Sequence, residues 1–227
     1  MGMEFGPAFW GLAALAGAAA LVYGLFFLDK APSWPRALLK TASMAALTAA
    51  FAAAHAPLPL LIALGAAAAG DFFLVFDKKW ILPLGILSFL IAQVLYLAIF
   101  FGLWLLAPDG APLAPRYVAT ALIVVTSLGF LVWMGPKLGW MALAVVPYSL
   151  AITAMACMAM WLPWAAWPAM LGVVLFLISD FVLAAELFRL APDAPARRIT
   201  VPVVWWTYAA AQALIVWGIV LAVGVMV

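Results

Sequence analysis

Two carboxylates lie inside apolar stretches that are long enough to cross a lipid bilayer. Asp71 belongs to the pentapeptide GDFFL at residues 70–74, and Asp180 belongs to the similar pentapeptide SDFVL at 179–183. A charged side chain at membrane depth costs several kcal/mol, so such residues usually face a polar cavity or a partner and carry function. Two acids in similar settings therefore indicate a paired site.

Paired carboxyls of this kind are suited to acid and base chemistry. Two carboxyls close together in a low-dielectric cavity repel each other as anions, so we expect one to hold a proton while the other stays ionised near Lys40 or hydroxyl donors. Such a pair supplies a general acid and a general base without a metal. The structural alternative is that each Asp bonds a Tyr, Gln or Lys on a neighbouring helix and only fixes packing.

The composition is that of an all-α integral membrane protein. Of the 227 residues, 71% are hydrophobic and 8% are charged. A bilayer-spanning helix needs roughly 20 mostly apolar residues, and the apolar runs predict a bundle of about eight such helices in one polytopic transmembrane domain over residues 1–227. The predicted spans are Phe9 to Leu28, Ala37 to Ala54, Leu58 to Phe76, Leu82 to Leu106, Tyr117 to Met134, Met141 to Met160, Trp167 to Phe188 and Val203 to Val227.

The distribution of basic residues predicts the orientation. Cytoplasmic loops carry an excess of Lys and Arg, and the connections after spans one, three, five and seven, with their flanks, hold nearly all of them. They are Lys30, Arg36, Lys40, Lys78, Lys79, Lys137, Arg189, Arg197 and Arg198. The opposite side has only Arg116. We therefore expect both termini outside.

This orientation places most polar intramembrane side chains in the cytoplasmic half, at the depth of the two acids. They are Lys40, Gln93, Tyr96, Tyr148, Tyr208 and Gln212. We predict that Asp71 and Asp180 face one another across a cavity open to the cytoplasmic side. A parallel four-plus-four repeat would put both acids on helices of the same direction, because an even number of spans preserves orientation.

Metal and cofactor chemistry is not expected. His55 is the only histidine and is predicted to lie at a helix end, while Cys157, the only cysteine, falls within a span. No intrachain disulfide is possible with one cysteine. We expect no metal, no cofactor and no nucleic-acid partner, and the oligomeric state is left open.

An ordered set of motifs resembles the YhhN-like family of membrane proteins, which includes lysoplasmalogenases. The set is Lys40, GDxxL at 70–74, GxxSFxxxxxxY at 85–96, PY at 147–148, SD at 179–180 and TYxxxQ at 207–212. It covers the chain from the second span to the eighth. One departure is Gln93, where the family pattern is expected to have His.

The resemblance implies a membrane-embedded ether hydrolase that cleaves the vinyl ether bond of a lysoplasmalogen to a fatty aldehyde and a glycerophospho-alcohol. Asp71 and Asp180 would then be catalytic. The substrate-binding residues would be Lys40, Gln93, Tyr96, Tyr148, Tyr208 and Gln212. Lys40 would meet the phosphate, or would instead pair with Asp71 and keep it ionised. The partners would be lysophospholipid and membrane lipid, and the location a bacterial inner membrane.

Three other functions use intramembrane acids. A proton- or cation-coupled transporter would need a polar path to the outer face, which is almost purely apolar here. An intramembrane aspartyl protease is disfavoured, because Ala68 replaces the first Gly of its Gly-x-Gly-Asp pattern and Ser179, not Tyr, precedes Asp180. A non-catalytic lipid-binding protein is the third.

Overall fold

The chain folds into α-helices connected by short loops. The computed structural model describes residues 3–76, 78, 80–106, 112–191 and 193–224, so Lys79 and the predicted end of the last span at Val227 lie outside the described residues. The helices are α1 (Pro7–Phe26), α2 (Trp34–Ala53), α3 (Leu58–Val75), α4 (Leu82–Leu106), α5 (Leu113–Leu138), α6 (Ala142–Ala159), α7 (Trp167–Phe188) and α8 (Arg197–Gly224).

Proline and glycine set several of the helix ends. Five helices, α1, α2, α3, α4 and α7, have proline at their first or second position, where its missing N–H costs nothing and its fixed φ suits the helix. The break between α5 and α6 lies at Gly139, whose φ of 52° is readily adopted by glycine. His55 directly follows α2 and its C-cap residue, which agrees with its predicted place at a helix end.

Two predicted starts differ from the observed ones by more than three residues. The α5 helix begins at Leu113 rather than Tyr117, and α8 begins at Arg197 rather than Val203. The last span was predicted to begin just after Pro202, but this proline lies inside α8. Pro202 is the sixth residue of α8, so its missing N–H removes only one backbone hydrogen bond, the one to the carbonyl of Arg198.

The helices identify a membrane protein. Six stretches are long and apolar enough to cross a bilayer, and α5 with α6 counts among them as one stretch of 47 residues. The α2 helix, which carries Arg36 and Lys40, is not among the six. Eight crossings, both termini outside and the four-plus-four repeat therefore stay predictions.

The chain separates into two compact units, Met1–Tyr96 and Leu97–Val227, with the boundary inside α4. In the first unit, α2 packs against both α1 and α3, and the rings of Phe9 and Phe51 meet edge to face with centroids 5.4 Å apart. In the second unit, α7 and α8 form the most extensive helix pair. That residues 1–227 form a single domain stays a prediction.

Close approach of α7 and α8 depends on glycine. A Cβ atom at Gly218 would lie 2.3 Å from the backbone nitrogen of Ala169, and one at Gly172 would lie 2.8 Å from the carbonyl oxygen of Ala211. Small residues at such positions allow helix backbones to pack closely in membranes.

We predict that Gly218→Ala lowers stability by about 1–3 kcal/mol, because the added methyl group must push two backbones apart. The measurement is the thermal unfolding midpoint of the purified protein in detergent. Gly129→Ala in α5 is the matched control, since a Cβ there meets nothing within 4 Å, and we expect it to be neutral or slightly stabilising. Equal midpoints for the two variants would contradict the close-packing argument.

Candidate functional site

Asp71 is buried in the first unit and forms an ion pair with Lys40. The α3 helix presents Asp71 and the neighbouring α2 presents Lys40, whose Nζ lies 3.1 Å from Asp71 Oδ1. The Asp71 side chain is 1% exposed and that of Lys40 is 16% exposed. An ionised carboxylate at such depth needs a partner, and Lys40 provides one. Of the two roles expected for Lys40, contact with a lipid phosphate and pairing with Asp71, the structure shows the pairing.

Glycine allows α4 to approach α3 beside this ion pair. A Cβ atom at Gly70 would lie 2.5 Å from the Phe89 ring, and one at Gly85 would lie 2.7 Å from the Leu74 side chain. From the first contact to the second, α3 advances by four residues while α4 goes back by four, so the two helices are antiparallel and the contacts are about one helical turn apart. The aromatic ring of Phe89 therefore packs directly against the residue that precedes Asp71.

Gln93 is a fully buried amide in the same unit. Its side chain is 0% exposed, and neither Oε1 nor Nε2 has a hydrogen-bond partner within the described part of the chain. Buried amides nearly always have such partners. Tyr96, less than one turn further along α4, is also fully buried.

Asp180 in the second unit has an uncharged partner. The Tyr148 hydroxyl on α6 donates a hydrogen bond to Asp180 Oδ2 on α7. Pro147 precedes Tyr148 inside α6, where it removes one backbone hydrogen bond of the helix. The next residue, Phe181, stacks its ring on Phe130 of α5 with centroids 4.2 Å apart.

The α8 helix contributes Tyr208 and Gln212, both buried. Their spacing of four residues puts them on one face. The Tyr208 ring meets Phe176 of α7 at a centroid distance of 5.8 Å. On α7, the Ser179 hydroxyl donates to the backbone carbonyl of Val204 at 2.9 Å. The residue before Asp180 thus fixes α7 to α8, while Asp180 itself turns to α6.

The structure contains a further acid, Glu186, that the sequence analysis missed and that is buried like Asp71. Glu186 on α7 is 5% exposed, and Arg197 of α8 donates to its backbone carbonyl at 2.8 Å. The signal was the spacing of seven residues in Gly172, Ser179 and Glu186, which puts all three on the face that meets α8. Glu186 was overlooked because it lies near a helix end, where acids are common.

The structure thus brings predicted site residues together within each unit. Lys40 contacts Asp71 in the first unit, and Tyr148 contacts Asp180 in the second. In both units the acid is paired with a side chain from the preceding helix. The shared cavity predicted for Asp71 and Asp180 involves both units and stays a prediction.

These features define a helical membrane protein with a partnered acid on each of two apolar helices. The chain belongs to the YhhN family, whose model matches residues 35–219. It is also similar to two curated proteins named lysoplasmalogenase, from Mycobacterium bovis and Mycobacterium tuberculosis. Each is 35% identical over 224 residues, which cover 90% of this chain and 82% of the relative. No solved structure matches the chain.

The buried ion pair leads to a stability prediction. Removing one partner leaves an uncompensated buried charge, which typically costs about 3–5 kcal/mol. We expect Lys40→Met to lower the thermal unfolding midpoint, and we expect Lys40→Met combined with Asp71→Asn to recover most of that loss because no charge remains. Lys30→Met is the control, since Lys30 is exposed in the loop between α1 and α2. A double variant no more stable than Lys40→Met would argue against a stabilising pair.

Proposed function

We propose that the protein is a lysoplasmalogenase, an ether hydrolase that acts on alkenyl glycerophospholipids within the membrane. The observation that carries the proposal is the 35% identity, over 90% of the chain, to proteins of that name. The partnered carboxyls add a chemical reason, because vinyl ether hydrolysis needs a proton donor and a proton acceptor. We place the protein in a bacterial plasma membrane, in keeping with the bacterial origin of both relatives.

The reaction begins with a proton. A carboxylic acid protonates the alkenyl carbon next to the ether-bearing carbon, and the resulting oxocarbenium ion is attacked by water. The hemiacetal then separates into a fatty aldehyde and a glycerophospho-alcohol. Asp71 and Asp180 are the two carboxyls in this scheme, while the polar residues around them position the lipid and the water. These positioning residues are Gln93, Tyr96, Tyr148, Tyr208 and Gln212.

The test of the activity uses two lipids with the same head group. Purified protein should release aldehyde from a lysoplasmalogen and none from the saturated ether analogue, which has no double bond to protonate. Equal cleavage of both lipids would exclude the vinyl ether mechanism. No aldehyde from either lipid would refute the proposed activity. The acids would then serve in proton or cation transport or in helix packing.

We predict that Asp71→Asn and Asp180→Asn each abolish aldehyde release while the protein remains folded. An amide keeps the shape and much of the hydrogen bonding of the carboxyl but cannot exchange a proton. The assay is the initial rate of each variant, with size-exclusion chromatography to verify folding. A variant that keeps more than about a tenth of the wild-type rate, a barrier change under about 1.4 kcal/mol, would show that its residue is neither acid nor base.

Lys40 has two proposed roles that kinetics can separate. If it binds the substrate phosphate, Lys40→Met removes uniform binding, so KM rises while kcat changes little. If its main role is the observed ion pair with Asp71, the same variant lowers kcat and displaces its pH profile. We expect the second result, because the ammonium is already bound to the carboxylate. A raised KM with an unchanged pH profile would favour the phosphate role.

A further inference from the structure

The proposed hydrolysis requires two different carboxyl roles, and the partners of the two acids are different. Resting on the proposed function, we infer that Asp71 is the general base that takes the proton of the attacking water. We assign Gln93 as the positioning residue that holds this water. Asp180 is then the carboxylic acid that protonates the alkenyl carbon.

The partner of Asp71 fits a base. A general base must be an anion when water attacks, and the ion pair with the Lys40 ammonium at 3.1 Å is formed by the anion. Asp180 instead accepts a hydrogen bond from Tyr148, whose phenol carries no charge. A phenol donor stabilises a carboxylate less than an ammonium does, so Asp180 gives up its anionic form more readily than Asp71. The first carboxyl therefore suits proton acceptance and the second suits proton donation.

Gln93 fits a residue that holds water. Its amide offers one acceptor oxygen and two N–H donors. Both polar atoms are buried, and neither has a hydrogen-bond partner among the residues that the structure describes. A water molecule makes several hydrogen bonds to such buried polar groups. The structure therefore leaves the amide ready to bind one.

The register of the α3 and α4 contacts indicates that this amide lies near Asp71. Gly85 opposes Leu74 and Gly70 opposes Phe89, so the next step of the same register brings Gln93 opposite Ala66. Side chains on a helix lean toward its N-terminus. Since α4 runs antiparallel to α3, the Gln93 side chain leans toward the turn that contains Gly70 and Asp71. One water between amide and carboxylate suits this separation of about one turn.

The resulting step is balanced in atoms and charge. The Asp180 carboxyl gives its proton to the alkenyl carbon, where a C–H bond forms and the oxocarbenium ion appears. Water held by Gln93 forms the new C–O bond as its proton passes to the Asp71 carboxylate. The hemiacetal separates into aldehyde and alcohol, and proton exchange with solvent restores both acids.

Azide distinguishes the two carboxyl roles, because this anion attacks an oxocarbenium ion without a base. We expect azide to raise substrate consumption by Asp71→Ala at least about tenfold, with an α-azido ether as the product. We expect no azide effect on Asp180→Ala, which cannot form the oxocarbenium ion. Rescue of Asp180→Ala alone, of both variants or of neither would overturn the assignment. Asp71→Asn replaces Asp71→Ala if the latter does not fold.

Gln93 is tested separately by its effect on the nucleophile. Gln93→Met should lower kcat with water at least about tenfold while KM changes little, and azide should restore the rate because it needs no held water. Gln93→His, which keeps a donor and an acceptor, should retain more activity than Gln93→Met. If Gln93→Met slowed the water and azide reactions equally, Gln93 would be a packing residue.

A wild-type protein that releases no aldehyde refutes the proposed function itself, whereas an active wild type with the wrong rescue pattern refutes only this assignment.

Discussion

The cost of placing a carboxyl group in an apolar helix governs this structure. Each such group needs a polar partner, and in both units the partner comes from the helix that precedes the acid in the chain. On α3, Asp71 is paired with Lys40 of α2, and on α7, Asp180 is bonded by Tyr148 of α6. These contacts require α2 to stay beside α3 and α6 beside α7 at the depth of the acids.

Small residues make the remaining packing possible. Beside Asp71, Gly70 lets the Phe89 ring lie against α3, and in the second unit Gly172 and Gly218 let α7 and α8 meet at backbone distance. Lipid tails are as apolar as leucine, so helix association in a membrane depends on such close contact and on interhelical hydrogen bonds. The bond from Ser179 to the Val204 carbonyl is one of them.

The apolar pattern predicted the helices well and their contacts poorly. The bounds of α4 were predicted as observed, because a long apolar run is unambiguous, and Asp71 stood out because acids are rare inside such runs. The choice of partners could not be predicted, since six polar side chains were placed at one depth and hydropathy does not say which helices are neighbours. Glu186 shows the converse limit: charge and hydropathy did not single it out, and only its seven-residue spacing from Gly172 and Ser179 pointed to the face that meets α8.

Under the proposed function, the different partners of the two acids suit two different catalytic roles. A carboxyl that only fixes helix packing can use any partner that satisfies it, and two such sites have no reason to differ. Hydrolysis of a vinyl ether needs an asymmetric pair, because one group must release a proton while the other accepts one. The cation beside Asp71 and the phenol beside Asp180 are the observed difference that the proposed mechanism would use. The same partners also lower the cost of burying each acid, so in the proposed hydrolase stability and catalysis would depend on the same two contacts.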